Sequence, residues 1–176
     1  MARRSRNFIA LGGAQSVWSD YEAAKELCPD HDVGACNDAG KDFPGQLSIW
    51  ATLHPELFRK WQRHRKGNQD YVSITRRWHP ETRIDHVFDG SLGGSSGLYL
   101  VKCALRLGYE RIICCGIPLN DDPHYFDNEA WDGVSRYRRH WLELQPHETE
   151  RIRSMSGWTR EILGYPTQEW LSVAAE

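Results

Sequence analysis

Short apolar runs alternate with helical patterns along most of this chain. "FIALGG" (Phe8 to Gly13) reads as a strand entering a glycine turn, and "SVWSDYEAAKEL" as the helix behind it. "HDVGACNDAG" predicts a second strand ending near Asn37, and "LSIWATLH" a third. "PELFRKWQRHRKG" has Pro55 at a helix start and Gly67 beyond its end. "YVSITRR" predicts a fourth strand and "RIDHVFDG" a short fifth. In "SSGLYLVKCALRLG", Leu98, Val101 and Leu105 share one helical face, with Gly108 as the stop. "RIICCGIPL" is the most apolar strand and is expected at the centre of the sheet. Beyond Asn120 the chain turns polar and aromatic, with helices predicted near "SRYRRHWLEL" and "GWTREILG".

This order predicts an α/β fold: a single Rossmann-like three-layer domain over residues 1–176, doubly wound around a mostly parallel central sheet. Such sheets bind ligands beyond the carboxyl ends of their strands. The polar, glycine-rich segments "LGGAQS", "CNDAG", "TLHP", "TRRWHP", "DGSLGGSSG" and "GIPLNDDPHYFD" all fall there.

Composition narrows the classes of function. Hydrophobic residues make up 40% of the chain and charged ones 26%, which suits a folded globular domain. With 22 Lys+Arg against 24 Asp+Glu, the net charge of -2 draws the chain toward neither nucleic acid nor membrane. The five cysteines are odd in number and form no CxxC pair, so they read as reduced core thiols. The apolar run after the basic start is too short for a signal peptide or a span, and a cytoplasmic location is expected. Eight tryptophans are scattered without a period and predict no repeat.

Several segments could carry chemistry. Gly12 and Gly13 let the backbone approach a phosphate or ribose at the first strand-to-helix turn; the alternative is a turn that needs glycine for packing alone. The GxGxxG fingerprint is missing, so a nicotinamide or flavin enzyme is not expected. Residues 90–97 hold four glycines and three serines. There Gly94, Ser95, Ser96 and Gly97 form a second anion cradle at a helix N-terminus, unless a serine serves only as the cap. The GK[ST] ending of an ATPase P-loop is absent. His124 stands among Asp121, Asp122 and Asp127, as a general acid or base, with Asp121 and Asp122 as candidate Mg²⁺ contacts. Arg76, Arg77 and Arg153 near strand ends could neutralise a diphosphate. Ser154, Ser156 and Gly157 offer a third turn toward the ligand or simply cap a helix, and the runs "RKWQRHRK" and "RYRRHW" read as solvated helix faces.

"GSSGLYLVKCALRLGYERIICCGIPL" resembles the small sialyl motif of the sialyltransferases that use CMP-sugars, and also the hydroxymethylpterin diphosphokinase-like proteins. "FIALGGAQS" with "DVGACNDAG" resembles the larger motif of those folds, and "HYFD" (His124 to Asp127) the third sialyl motif. The resemblance covers residues 8–40 and 88–127 and implies a nucleotide site that Gly13, Ser16 and Asn37 contact. The family's fourth motif, a His with an acid five residues on, has no clean copy: His140 is followed by Glu143, and His147 by Glu148 and Glu150. The function expected is a nucleotide-dependent transferase, glycosyltransferase-like, with a nucleotide or nucleotide-sugar as ligand and His124 moving the proton. The alternatives are a Mg²⁺-dependent diphosphokinase-like enzyme and a non-catalytic module that binds or sequesters a nucleotide.

Overall fold

The computed structural model describes residues 6–89 and 94–173. Residues 90–93, the first half of the glycine-serine loop, lie outside them. In chain order the elements are β1 (Asn7–Leu11), α1 (Val17–Leu27), β2 (Asp32–Cys36), α2 (Asn37–Asp42), β3 (Ile49–Thr52), α3 (Pro55–Arg63), β4 (Val72–Thr75), β5 (His86–Val87) and α4 (Ser96–Arg106). Then follow β6 (Arg111–Cys115), α5 (Val134–Leu142), α6 (Pro146–Thr149), β7 (Ile152–Ser154), α7 (Gly157–Leu163) and α8 (Gln168–Ser172). Among the described residues no helix is long and apolar enough to cross a membrane.

The strands form one sheet in the order β5-β4-β3-β2-β1-β6-β7, and every described pairing between them is parallel. The chain runs outward from β1 to β5, then returns through α4 to lay β6 on the other side of β1. The strand order therefore reverses between β1 and β6, where an open sheet leaves a crevice for ligands.

Strand alternation builds two cores. Phe8, Ala10, Ile112 and Cys114 face a cluster with α4, Trp141 of α5 and Leu163 of α7. Ile9, Leu11, Ile113 and Cys115 face the opposite cluster with Val17 and Ala24 of α1, Ala39 of α2, and Phe58 and Trp61 of α3. The sheet is thus the middle of three layers, and residues two apart on one strand serve the same layer.

Several expectations need correction. β6 is buried along its whole length but lies one strand from the edge, because the three-residue β7 pairs outside it. α4 buries Ser96 to Val101 on consecutive positions, so its first turns are enclosed all round and only its later turns are one-sided. The run "RKWQRHRK" is not wholly solvated. Its Trp61 and Arg65 are buried, and the Arg65 guanidinium donates to the carbonyls of Phe43 and Gly45, each at 2.8 Å, holding the loop after α2. Seven of the eight tryptophans also find a use, while Trp78 is exposed. Trp50 and Trp141 fill the two cores, Trp61 closes one of them, and Trp18, Trp131, Trp158 and Trp170 pack at the margins.

Candidate functional site

The site forms where β1 and β6 end. Gly12 donates its amide to Cys115 O at 2.8 Å, and Ala14 its amide to Gly116 O at 3.0 Å. These bonds zip the two turns together. The Gly13 amide, between them, has no protein partner among the described residues. The role of Gly12 is thus close approach: its own donor is spent, and a Cβ there would meet Ile117 Cγ1 at 2.5 Å.

From the other side α4 arrives with its N-terminus at the same point. A Cβ on Gly97 would stand 3.3 Å from Ile117 Cδ1, so Ile117 separates the two glycine segments and touches both. Ser95 is the N-cap, its side chain accepting from Leu98 N at 3.4 Å, while Tyr99 N donates to Ser95 O at 2.9 Å. Ser96 and Gly97 occupy the first helical positions, whose amides an α-helix leaves without an intrahelical partner. Ser96 itself is only 7% exposed, and its hydroxyl is buried with no hydrogen-bond partner among the described residues. The two serines that the sequence offered as equivalent divide the work: one caps, and the other is left over.

The loop after β6 folds back over β1. Ala14 and His124 form an antiparallel bridge, and Tyr125 N donates to Gly13 O at 3.0 Å. A Cβ on Gly13 would lie 2.9 Å from His124 Cδ2, which puts the imidazole against the glycine turn. His124 stacks on Phe126, ring centroids 5.0 Å apart, and meets Trp131 edge-on at 5.9 Å. Its Nδ1 is 3.9 Å from the Asp127 carboxylate. The loop is held from outside by the Tyr125 hydroxyl, which donates to Asp42 Oδ2 at 2.8 Å.

A pocket of about 470 Å³ opens over these ends. Of the residues singled out in the sequence, Gly12, Gly13, Asn37, Arg76, Gly94, Ser95, Ser96, Gly97, Asp122 and His124 line it. Ser16, Arg153, Ser154, Ser156 and Asp121 do not. Ser16 and Ser156 both donate to Asp20 Oδ2, at 3.0 and 2.7 Å, and the Gly116 amide reaches the same oxygen at 2.9 Å. This buried carboxylate ties α1, the β6 turn and the β7 turn together beneath the pocket. Ser154 bonds Thr159, whose hydroxyl donates to Ile117 O at 2.7 Å. Arg153 donates to the carbonyls of Thr149 and Ile152 and lies over the Trp170 ring. The third turn thus supports the pocket's floor and does not line it.

Asp122 accepts from the Asn120 side chain at 2.6 Å, and among the described residues no three His, Cys, Asp or Glu groups are arranged to hold a metal ion. Cys36 also lines the pocket, and burial raises its thiol to about 12, which favours the neutral thiol near neutral pH. Sequence reasoning missed the far arm of the pocket, built from Leu53, His54, Leu57 and Trp61 between β3 and α3. "TLHP" at a strand end was the available signal. It also missed Trp131 and Tyr137, stacked at 5.2 Å on the opposite wall.

No family model and no curated protein matches the chain. Two solved structures share its fold. A sialyltransferase from Campylobacter jejuni, solved with the substrate analogue CMP-3FNeuAc, aligns with a TM-score of 0.60 at 14% identity, over 96% of this chain and 87% of that one. The MAf glycosyltransferase from Magnetospirillum magneticum aligns with a TM-score of 0.57 at 13% identity, over 100% of this chain and 35% of that one. This chain therefore spans about a third of the second enzyme's length. At such identities the likeness is one of architecture: the chain has a fold that resembles that of glycosyl-transferring enzymes, one of them seen with a CMP-sugar analogue.

Proposed function

We propose that the chain is a nucleotide-dependent transferase that takes a sugar from a nucleotide-activated donor. The observation that carries this reading is the pocket where the β1 turn and the α4 N-terminus meet, lined by Gly12, Gly13, Ser96 and Gly97, with the Ser96 hydroxyl there buried and unpartnered among the described residues. A buried hydroxyl without a partner costs roughly 1–3 kcal/mol, and a phosphate oxygen in the pocket would remove that cost. The first-turn amides and the positive end of α4 favour the same anion.

His124 supplies proton transfer. In glycosyl transfer the acceptor hydroxyl oxygen bonds to the anomeric carbon, and the bond from that carbon to the phosphate oxygen breaks with its electron pair. The hydroxyl proton must leave, and His124, on the pocket wall beside Gly13, is the group to take it. Negative charge then gathers on the leaving phosphate, which the α4 N-terminus is oriented to stabilise. Arg76, with no ion-pair partner among the described residues, would meet a further charged part of donor or acceptor at the far end.

The test is a panel of CMP-, UDP- and GDP-sugars and ATP, with and without Mg²⁺, read first by thermal shift and then by release of free nucleotide. Selective stabilisation by a nucleotide-sugar, with nucleotide release that His124→Gln lowers roughly 100-fold or more, supports the transferase. Binding of ATP alone with strict Mg²⁺ dependence would favour a diphosphokinase. Binding without turnover in the unaltered chain would favour a sequestering module.

A further inference from the structure

Asn37 stands where β2 becomes α2, in the left-handed region at φ +48, a conformation seldom kept by a residue other than glycine. Two bonds hold it there. Trp50 Nε1 donates to the Asn37 carbonyl at 3.1 Å, and the Thr52 hydroxyl donates to Asn37 Oδ1 at 2.7 Å. Thr52 is fully buried at the end of β3, and its oxygen also accepts the His54 amide at 2.9 Å.

Counting protons fixes which way the Asn37 amide points. A hydroxyl carries one proton. With the His54 amide already donating to the Thr52 oxygen, that proton needs an acceptor, and Asn37 Oδ1 is the one in reach. Were the amide turned round, its NH₂ would face the Thr52 oxygen and the hydroxyl proton would be buried without a partner, the costlier arrangement. The Asn37 NH₂, which has no protein partner among the described residues, is then left to the pocket that Asn37 lines.

We infer that Thr52 is a positioning residue: it makes Asn37 a hydrogen-bond donor only, so that the pocket above β2 reads an acceptor oxygen of the ligand, on a carbonyl, carboxylate or phosphate group. The inference rests on the nucleotide reading for the ligand's class, but not for the orientation of the amide. A pocket with donors at both ends, Asn37 above β2 and Ser96 with its amides at α4, discriminates against ligands whose groups there can only donate.

Two measurements test it. The first is the ¹⁵N side-chain amide resonance of Asn37, identified by its loss in Asn37→Ala. Thr52→Val should collapse its two proton shifts toward those of a free amide, and Thr52→Ser should preserve them. An unchanged pair in Thr52→Val overturns the positioning role. The second is the Kd for CMP and for inorganic phosphate. Thr52→Val should weaken CMP about five- to tenfold, with Thr52→Ser restoring it, since one oriented hydrogen bond is worth about 1 kcal/mol. Affinity unchanged in Thr52→Val overturns the reading of an acceptor. If Thr52→Val does not fold, Asn37→Asp decides, because it keeps the Thr52 bond but replaces the donor by a carboxylate: CMP affinity must fall, and retained affinity overturns the donor assignment. Should the unaltered chain bind neither probe, the nucleotide reading fails and with it the acceptor, while the amide spectrum still decides the role of Thr52.

Discussion

Gly12 and Gly116 stand so close where β1 and β6 end that a Cβ on the first would overlap the carbonyl oxygen of the second. That approach lets the two turns share one crevice. Gly12→Ala should lower the unfolding free energy by about 2 kcal/mol, the usual scale of overpacking. Gly116→Ala should cost more, because φ is +65 and the new methyl would overlap Val17. Gly108→Ala is the control: φ is +89 but nothing lies within 4 Å, so only the backbone cost of about 1 kcal/mol remains. Urea denaturation of the three variants checks the order, and a Gly12→Ala chain as stable as the unaltered one would mean that the turns have room to part.

Ser95 and Ser96 should respond in opposite ways. Ser95→Ala removes the cap bond to Leu98 N and should destabilise the chain by about 1 kcal/mol. Ser96→Ala removes a buried hydroxyl that has no partner among the described residues, so stability should hold or rise slightly. If the hydroxyl serves a phosphate, the same change should weaken nucleotide binding about five- to tenfold. Melting curves and titration on both variants separate the two effects, and Ser96→Ala with undiminished affinity would remove Ser96 from the site.

The loop carrying His124 is pinned by Tyr125 on Asp42, and this pin depends on pH. Burial pushes the Asp42 carboxyl up, but hydrogen bonds from Lys66 and Tyr125 and the charges of Lys41 and Lys66 outweigh it and hold the group below its ordinary value. A depressed carboxyl contributes stability that is present above the unfolded pKa, near 4, and is lost as pH falls through the folded value. Tyr125→Phe should therefore cost about 1 kcal/mol at pH 7, and the difference from the unaltered chain should shrink below about pH 4. Paired denaturation curves at pH 7 and pH 3 measure this; a gap that stays constant would assign the cost to packing.

All five cysteines are buried and free. Burial raises Cys28 to about 11 and Cys36 and Cys103 to about 12, and lifts Cys114 and Cys115 also. In the unfolded chain they would ionise near pH 8.5. Above that value the unfolded state loses protons that the folded state keeps, so stability should fall as pH rises from about 9. At pH 8 iodoacetamide should label none of the five in the folded chain and all of them in urea. Rapid labelling of Cys36 alone would show that the pocket admits the reagent to a thiol more ionised than its surroundings allow.

Local pattern made much of this legible. Alternating apolar runs marked β1, β2, β3, β4 and β6, Pro55 marked the start of α3, and Gly108, at φ +89, marked the stop of α4. The candidate loops fell at strand ends because polar, glycine-rich segments cannot be buried inside a sheet. Short elements escaped the same reading. β7 has three residues and α2 six, too few to complete a period, and both exist because their neighbours are already in place.

The sequence by itself determined the layers and the positions of the glycine turns, since strand and helix periodicity is written between near neighbours. Only the tertiary structure decided what each polar side chain does. Ser16 meets Ser156 across 140 positions of sequence, Tyr125 meets Asp42 across 83, and Thr52 turns the amide of Asn37. Such partners depend on which strands lie side by side and at what register. That order is fixed by the packing of whole helices on the sheet, and no local period of two or of 3.6 residues carries it.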